Sequence, residues 1–328
     1  MSLIQNPHDR FFKETMTDPH IAQDFFTNYL PADLLHVIDL KNLALEKDSF
    51  IDQGLEEAYS DLLYKTHIQG KVGYLYFLFE HKSYQDPETP LQLLKYMVKI
   101  WEQKPNKKKA GGLPVIVPIV IYHGETAWRA GQNFSQQFAD LDVFPERIKK
   151  CIPDYEYIIY DFSPLGDEEI KGGVMLRIFL ELIRAAFHKE PAHFINVINQ
   201  SILALKELKG KSGAIGYLET IVRYMLSARG DIEFEEVKRE VQKKSMEGSD
   251  IIMTIAEKLI KEGMEKGIKE GMEKGMKEGM KEGKKEGIEK GMKESMEKVA
   301  KKMLAEGESI EKIARYTGLS RDDIEKLQ

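Results

Sequence analysis

Asp61, Glu80 and Lys82 are the residues of this chain whose types and spacing could do chemistry together. Asp61 sits in "EAYSDLLYK", and Glu80 and Lys82 sit in "YFLFEHKS". Each lies on or beside an apolar run with strand character. At i and i+2 of a strand, Glu80 and Lys82 leave the same face. Two carboxylates and one ammonium at a strand edge suit a divalent cation held by the acids. The lysine would then orient the attacking water, lower its effective pKa, or meet the charge that develops in the transition state. That is the chemistry of metal-dependent phosphodiester cleavage. Each residue also has a plainer reading. Asp61 could be an N-cap or a solvent-facing strand aspartate, and Glu80 with Lys82 a simple ion pair on a sheet rim. Yet Glu80 ends the apolar run "YLYFLF", and burying a carboxylate there without a partner is costly. A metal or Lys82 would supply that partner.

The elements that must position these residues can be read from hydrophobic periodicity. Residues 9 to 30 carry an apolar stripe (Phe11, Phe12, Met16, Phe25, Phe26, Leu30) that predicts a helix ended by Pro31. Residues 36 to 51 predict a first strand and 57 to 68 a second. The turn "QGKVG" then leads to a third strand over 73 to 82. In "TPLQLLKYMVKIWEQ", Leu91, Leu94, Met97, Val98 and Trp101 form a helical stripe introduced by Pro90. Residues 113 to 122 predict a fourth strand. The resulting order is α-β-β-β-α-β. A further strand is expected at "YEYIIYDF" (155 to 162), followed by helices over 168 to 188, 191 to 209 and 213 to 228.

The segments "SDLLYK", "LYFLFEHKS", "PLQLLKYMVKIW" and "LPVIVPIVIYHG" follow one another at close spacing. With D…E-x-K among them, the succession resembles the Rpn family of recombination-promoting nucleases and transposases, within the PD-(D/E)XK nuclease superfamily. The resemblance covers roughly residues 6 to 130 well and runs more loosely to about 230. It implies a restriction-endonuclease-like α/β core with added helices. It also implies a DNA endonuclease using Mg²⁺, or alternatively Mn²⁺, with a role in recombination or mobile-element-like biology. Asp61 and Glu80 would be the metal-holding acids, with the backbone carbonyl of His81 as a further ligand. The His81 side chain would point to the other face of the strand and pack there. Where many similar chains carry glutamine, this one has Lys82, which is closer to the superfamily pattern. At Gln92 the resemblance leads one to expect arginine, and Gln92 is an accessory candidate for a phosphate or carboxylate contact in its place. Asp9 and Glu14, on the first helix, are accessory acids by the same resemblance, or else surface charge. Lys95 could touch a phosphate. His123, in "YHG", is either a rim group of the site or a hydrogen-bonded structural histidine. The competing class is a non-enzymatic DNA-binding or self-assembling protein that keeps the nuclease fold.

The 328 residues, 42% hydrophobic and 31% charged, leave room for a catalytic domain and a smaller module. One cysteine, Cys151, excludes an intrachain disulfide framework and fits a reducing cytoplasm. No signal-peptide pattern opens the sequence, and no apolar run approaches a membrane span. The net charge of −6 is unfavourable for a nucleic-acid enzyme, but its distribution is uneven. From 95 to 109 the chain has lysine at 95, 99, 104, 107, 108 and 109 against the single acid Glu102. Lys95, Lys107, Lys108 and Lys109 are therefore the candidate DNA-phosphate contacts, and Arg147, Lys149 and Lys150 form a smaller basic cluster. There is no C-x-x-C, zinc-ligand spacing or nucleotide-binding glycine loop.

Three regions are expected: a nuclease-like domain with a helical extension at 1–250, a repeat at 251–298, and a small helix-turn-helix-like element at 299–328. In the repeat, glycine returns every fourth residue from 263 to 291, mostly followed by Met or Ile, with Lys and Glu between. Eight glycines cost about 6–8 kcal/mol of helix propensity relative to alanine. Alone, this segment should fray or serve as a flexible tether. Packed against a copy of itself it could be a long helix, and a homo-oligomer is the expectation. At the end of the chain, "IEKIARYTGLSRDDIEKLQ" has two short apolar stripes around "TGLS", with Ser320 and Asp323 as a capping box. The acidic second helix is poorly equipped to read a major groove, which favours a structural or protein-contact role over DNA reading.

Overall fold

The computed structural model describes residues 6–46, 60–80, 86–103, 112–129, 131–166, 168–206, 214–232, 234–244 and 246–327. The chain opens with α1 (Pro7–Met16), α2 (Pro19–Tyr29) and α3 (Ala32–Leu35). A short β1 (Ala44–Leu45), β2 (Ser60–Ile68) and β3 (Lys71–Glu80) follow, then α4 (Thr89–Gln103) and β4 (Val115–Tyr122). After α5 (Glu146–Lys149) and β5 (Ile158–Asp161) come α6 (Val174–Ala186), α7 (Pro191–Lys206), α8 (Ala214–Ala228) and α9 (Phe234–Lys244). The last helices are α10 (Met246–Ala305), α11 (Ile310–Thr317) and α12 (Arg321–Glu325).

The strands form one mixed sheet in the order β1-β2-β3-β4-β5. β1, β2 and β3 are antiparallel neighbours, and β4 and β5 run parallel to β3. The β2–β3 hairpin closes on Gln69 and Gly70, with φ of 48° and 74°. Positive φ at both central residues is the type I′ geometry, whose twist matches that of the flanking strands. This fixes the register at Ile68 opposite Lys71, and with it every later pair, including Asp61 opposite Leu78.

Alternation along the strands sorts the side chains into two cores. Leu62, Tyr64, Leu75, Phe77, Ile119, Ile121 and Tyr160 face α1, α2 and α6, within the larger cluster. Phe77 lies within 5.1–5.5 Å, centroid to centroid, of the rings of Phe12, Phe25 and Phe26. Leu63, Tyr74, Tyr76, Ile116 and Val120 face the other way, against Leu93, Tyr96, Met97 and Ile100 of α4.

Two expectations need correction. The helix over 9 to 30 is two helices, broken at Thr17–Asp18. The Asp18 side chain accepts from the backbone N–H of His20 at 2.8 Å, and Pro19 starts the next helix, an N-cap signal masked by the continuous apolar stripe. The first strand shrinks to Ala44–Leu45 within the described part of 36 to 51. There Asp39 caps a 3₁₀ turn at Leu40–Asn42 instead, accepting from the N–H of Lys41.

Chain contacts divide the molecule into residues 3–259 and 260–328. In the first unit, Ala256 on α10 is fully buried in the larger core, with Ile255 and Leu259 packed beside it. In the second, the end of α10 joins α11 and α12 around Ala300, Ile313 and Ile324, all 0% exposed. Gly318, at φ 71°, ends α11, and the Ser320 hydroxyl accepts from the N–H of Asp323 to start α12. The glycine repeat lies within α10, which is helical throughout. Among the described residues no helix is long and apolar enough to cross a membrane.

Candidate active site

The sheet register brings the two strand acids together. Asp61 is paired with Leu78, and Glu80 lies two residues further along β3, so both belong to the α4 face. Diagonal neighbours of this kind stand about 7–8 Å apart on one face. Asp61 and Glu80 are described by their strand positions. His81 and Lys82 lie outside the described residues, as do Lys107, Lys108 and Lys109.

Register also extends the row across the parallel strands. Glu80 is paired with Tyr122, and Tyr122 with Asp161. Asp161 therefore shares the face of Glu80, two strands away or roughly 10 Å. The sequence reading passed over it, although the signal was there: like Glu80, it is an acid closing an apolar strand. Its carboxylate accepts from the backbone N–H of Trp128 at 2.6 Å and of Ser163 at 2.9 Å. Gly166 folds so close that a Cβ there would lie 2.1 Å from the Asp161 carbonyl oxygen, which restricts the position to glycine. The clamp holds Trp128 edge-on to Tyr122, with ring centroids 5.0 Å apart. Asp161 thus orders the end of the sheet beside Glu80, and its oxygens are already engaged in that task.

The helix behind the row is fixed at both ends. Trp101 of α4 donates to the carbonyl of Pro114 just before β4 at 2.9 Å. The Tyr155 hydroxyl donates to the carbonyl of Pro90. Between these points Tyr96 packs on Tyr76, with ring centroids 5.3 Å apart. Lys95 on the same helix is exposed and available to a phosphate. Gln92 is half-buried, and its buried Nε2 has no hydrogen-bond partner among the described residues. Burial pushes the Tyr157 hydroxyl up to about 12, so it remains a donor, to the carbonyl of Gly131 at 2.7 Å.

Of the accessory candidates, Asp9 and Glu14 lie on α1 and His123 directly follows β4. Glu14 is committed to α8: both its oxygens lie 2.9 Å from Nη1 of Arg223, and Arg10 Nε donates to it at 2.7 Å. Asp9 is buried on α1. His123 is fully buried against the rings of His8 and Phe187, at 4.9 and 5.1 Å. Among the described residues, no three His, Cys, Asp or Glu side chains gather as a metal site.

A mixed α/β domain built on a five-stranded mixed sheet is the class this architecture defines. The chain belongs to the YhgA-like transposase family, whose profile matches residues 6–212. Residues 293–328 match the C-terminal helix-turn-helix domain of the Rpn/YhgA-like nuclease family. The chain is 27% identical over 321 residues to the recombination-promoting nuclease RpnA of Escherichia coli K12, covering 97% of this chain and 96% of the relative. It is 28% identical over 253 residues to the recombination-promoting nuclease RpnD of Escherichia coli O157:H7, covering 77% and 94%. It is also 28% identical over 264 residues to the inactive recombination-promoting nuclease-like protein RpnE of Escherichia coli K12, covering 80% and 84%. No solved structure matches.

Proposed function

We propose that this protein is a Mg²⁺-dependent DNA endonuclease acting in recombination, with Asp61, Glu80 and Lys82 as its catalytic residues. The observation that carries the reading is the register that sets Asp61 and Glu80 on one face of adjacent strands, in a chain that aligns almost end to end with a named recombination-promoting nuclease. Asp61, Glu80 and the His81 carbonyl form an all-oxygen donor set, which suits Mg²⁺ and accommodates Mn²⁺. When bound, the ion would supply Lewis-acid polarisation of the phosphate and a more acidic water. The protein's part is to fix the acids on a rigid sheet, and to place Lys82 beside them as a donor to the water or to the developing charge. The helix-turn-helix match supports DNA as the partner. Its α12 is a weak reader, since Arg321 is already paired with Glu311 at 3.0 Å and lies 3.5 Å from Glu325. Phosphate contact is assigned instead to Lys95 and to Lys107, Lys108 and Lys109.

One relative is named inactive, so activity in this chain is to be tested at its own residues. Lys82 is the residue on which activity turns here. Lys82→Ala should slow cleavage about a hundredfold or more while DNA affinity changes little, because the lysine acts in the transition state. Lys82→Gln should retain measurable cleavage, as a neutral donor at the same position. Single-turnover rates alongside binding titrations test this, and a wild-type rate for Lys82→Ala would return the residue to a structural role. Neutralising Lys107, Lys108 and Lys109 together should weaken binding to all sequences alike. It should also flatten the slope of log K against log salt by up to about 2.7, at roughly 0.9 per duplex phosphate contact. An unchanged slope would place the DNA elsewhere.

A further inference from the structure

Arg129 is an exposed cation with nothing to do in the described fold. Among the described residues its guanidinium has no carboxylate within ion-pair reach and makes no hydrogen bond. Arg10, Arg223, Arg229 and Arg321, by contrast, each pair with an acid. Yet the backbone that leads into Arg129 is held firmly. Trp128, the residue before it, donates its backbone N–H to Oδ2 of Asp161 at 2.6 Å, and Oδ1 of the same carboxylate accepts from the N–H of Ser163 at 2.9 Å. Bonds to an ionised carboxylate are roughly twice as strong as neutral ones. The Trp128 ring stands edge-on to Tyr122, 5.0 Å between centroids. Tyr122 closes β4 in register with Glu80, and Asp161 closes β5.

Arg129 is thereby tethered to the ends of the two strands that continue the sheet beyond Glu80. An anchored arginine gives up less freedom on meeting a phosphate than one on an unsupported loop, and its planar fork of donors matches phosphate oxygens. A cation is also needed at this end. Asp61, Glu80 and Asp161 put negative charge there, which repels a DNA backbone, so a strand brought to the acidic row requires a fixed positive charge beside it. We propose that Arg129 is a DNA-phosphate contact at the Glu80 end of the sheet, and that Asp161 is its positioning residue, acting through the Trp128 N–H. The inference rests on the reading that DNA is the partner, and it uses no claim about cleavage.

The test is a set of binding titrations on full-length variants, with a short DNA duplex and Ca²⁺ in place of Mg²⁺, over a range of salt. Arg129→Ala should weaken binding about tenfold at low salt and lower the slope of log K against log salt by about 0.9, the share of one duplex phosphate. Arg129→Lys should keep the slope, because the charge remains. Lys71→Ala should bind like the wild type. Lys71 is also exposed, but it opens β3 at the hairpin, about 30 Å along the strand from Glu80 at roughly 3.3 Å per residue. Asp161→Asn separates positioning from charge. Removing a negative charge would by itself tighten DNA binding, whereas loss of the clamp predicts a several-fold weakening with Arg129 still in place. Tryptophan emission, which comes from Trp101 and Trp128 alone, should become easier to quench with acrylamide in that variant. An unchanged slope for Arg129→Ala, an equal loss for Lys71→Ala, or Asp161→Asn binding as tightly as the wild type would each overturn the proposal. Arg129 is exposed, so its variants are not expected to misfold, and melting curves check this. A wild type that cuts DNA while Arg129→Ala binds it normally overturns this proposal alone. A wild type that binds without cutting in Mg²⁺, with the slopes given above, overturns the nuclease reading and supports this contact.

Discussion

Replacing Asp61 or Glu80 by alanine should reduce Mg²⁺-dependent DNA cleavage by about a thousandfold or more, equivalent to at least ~4 kcal/mol of barrier at 1.36 kcal/mol per decade. The size follows from the role. Each carboxylate would supply charge and an oxygen ligand to the same ion, and removing either leaves an incomplete site and a weakened electrostatic clamp on the phosphate. The fold should survive both changes. Asp61 and Glu80 lie toward the ends of their strands, and the pairing of β2 with β3 is carried by backbone bonds and by the apolar residues between. Single-turnover cleavage with circular dichroism as a control measures both halves of the expectation. A variant with native spectra and undiminished cleavage would remove its residue from the site. Asp61→Asn and Glu80→Gln should behave like the alanine variants, because the missing feature is the charge.

The largest effect on stability should come from Phe77→Ala. Phe77 is 0% exposed on the central strand, and four aromatic rings surround it: Phe12, Phe25, Phe26 and, at 6.4 Å, Tyr64. Those rings come from α1, α2 and β2, so the side chain joins the sheet to the helices that cover it. Truncating a buried phenylalanine costs about 3–5 kcal/mol, part of it transfer energy and part the cavity left behind. Against a typical total of 5–15 kcal/mol, that is a large fraction. For a domain of this size it corresponds to roughly 6–20 °C in melting temperature. Urea denaturation of the wild type and the variant measures it directly. A loss below about 1 kcal/mol would mean that these rings do not pack as one cluster.

How far the sequence could be read depended on which physical signal dominated each segment. β2, β3 and β4 were legible because their apolar runs are long and bounded by turn residues, and the hairpin signal at Gln69–Gly70 fixes their register. The α4 stripe was legible for the same reason, with Pro90 at its start. The break between α1 and α2 was missed because Phe11 to Leu30 keeps helical periodicity across it, and only the Asp18–Pro19 cap reveals the interruption. The strand expected over 36 to 51 is shorter, Ala44–Leu45 among the described residues, because side-chain capping by Asp39 diverts the preceding backbone into a turn, and alternation does not record that competition. Asp61 and Glu80 were proposed by analogy of pattern, whereas the placement of Asp161 in line with Glu80 rests on the β3–β4–β5 register, which aligns residues 81 positions apart. The α10 repeat shows the opposite limit. Its glycine content argued against a stable helix in isolation, yet α10 is helical across it.

The central claim is that one acidic row at the sheet end cleaves DNA with a divalent ion. A plasmid-nicking assay on the purified full-length protein tests it most directly, run with Mg²⁺, with Mn²⁺, and with a chelator. The account predicts conversion of supercoiled plasmid to nicked or linear DNA in the presence of either ion, none with the chelator, and none from Asp61→Ala under any condition. Plasmid left intact with both ions, or cleaved equally well by Asp61→Ala, would contradict it.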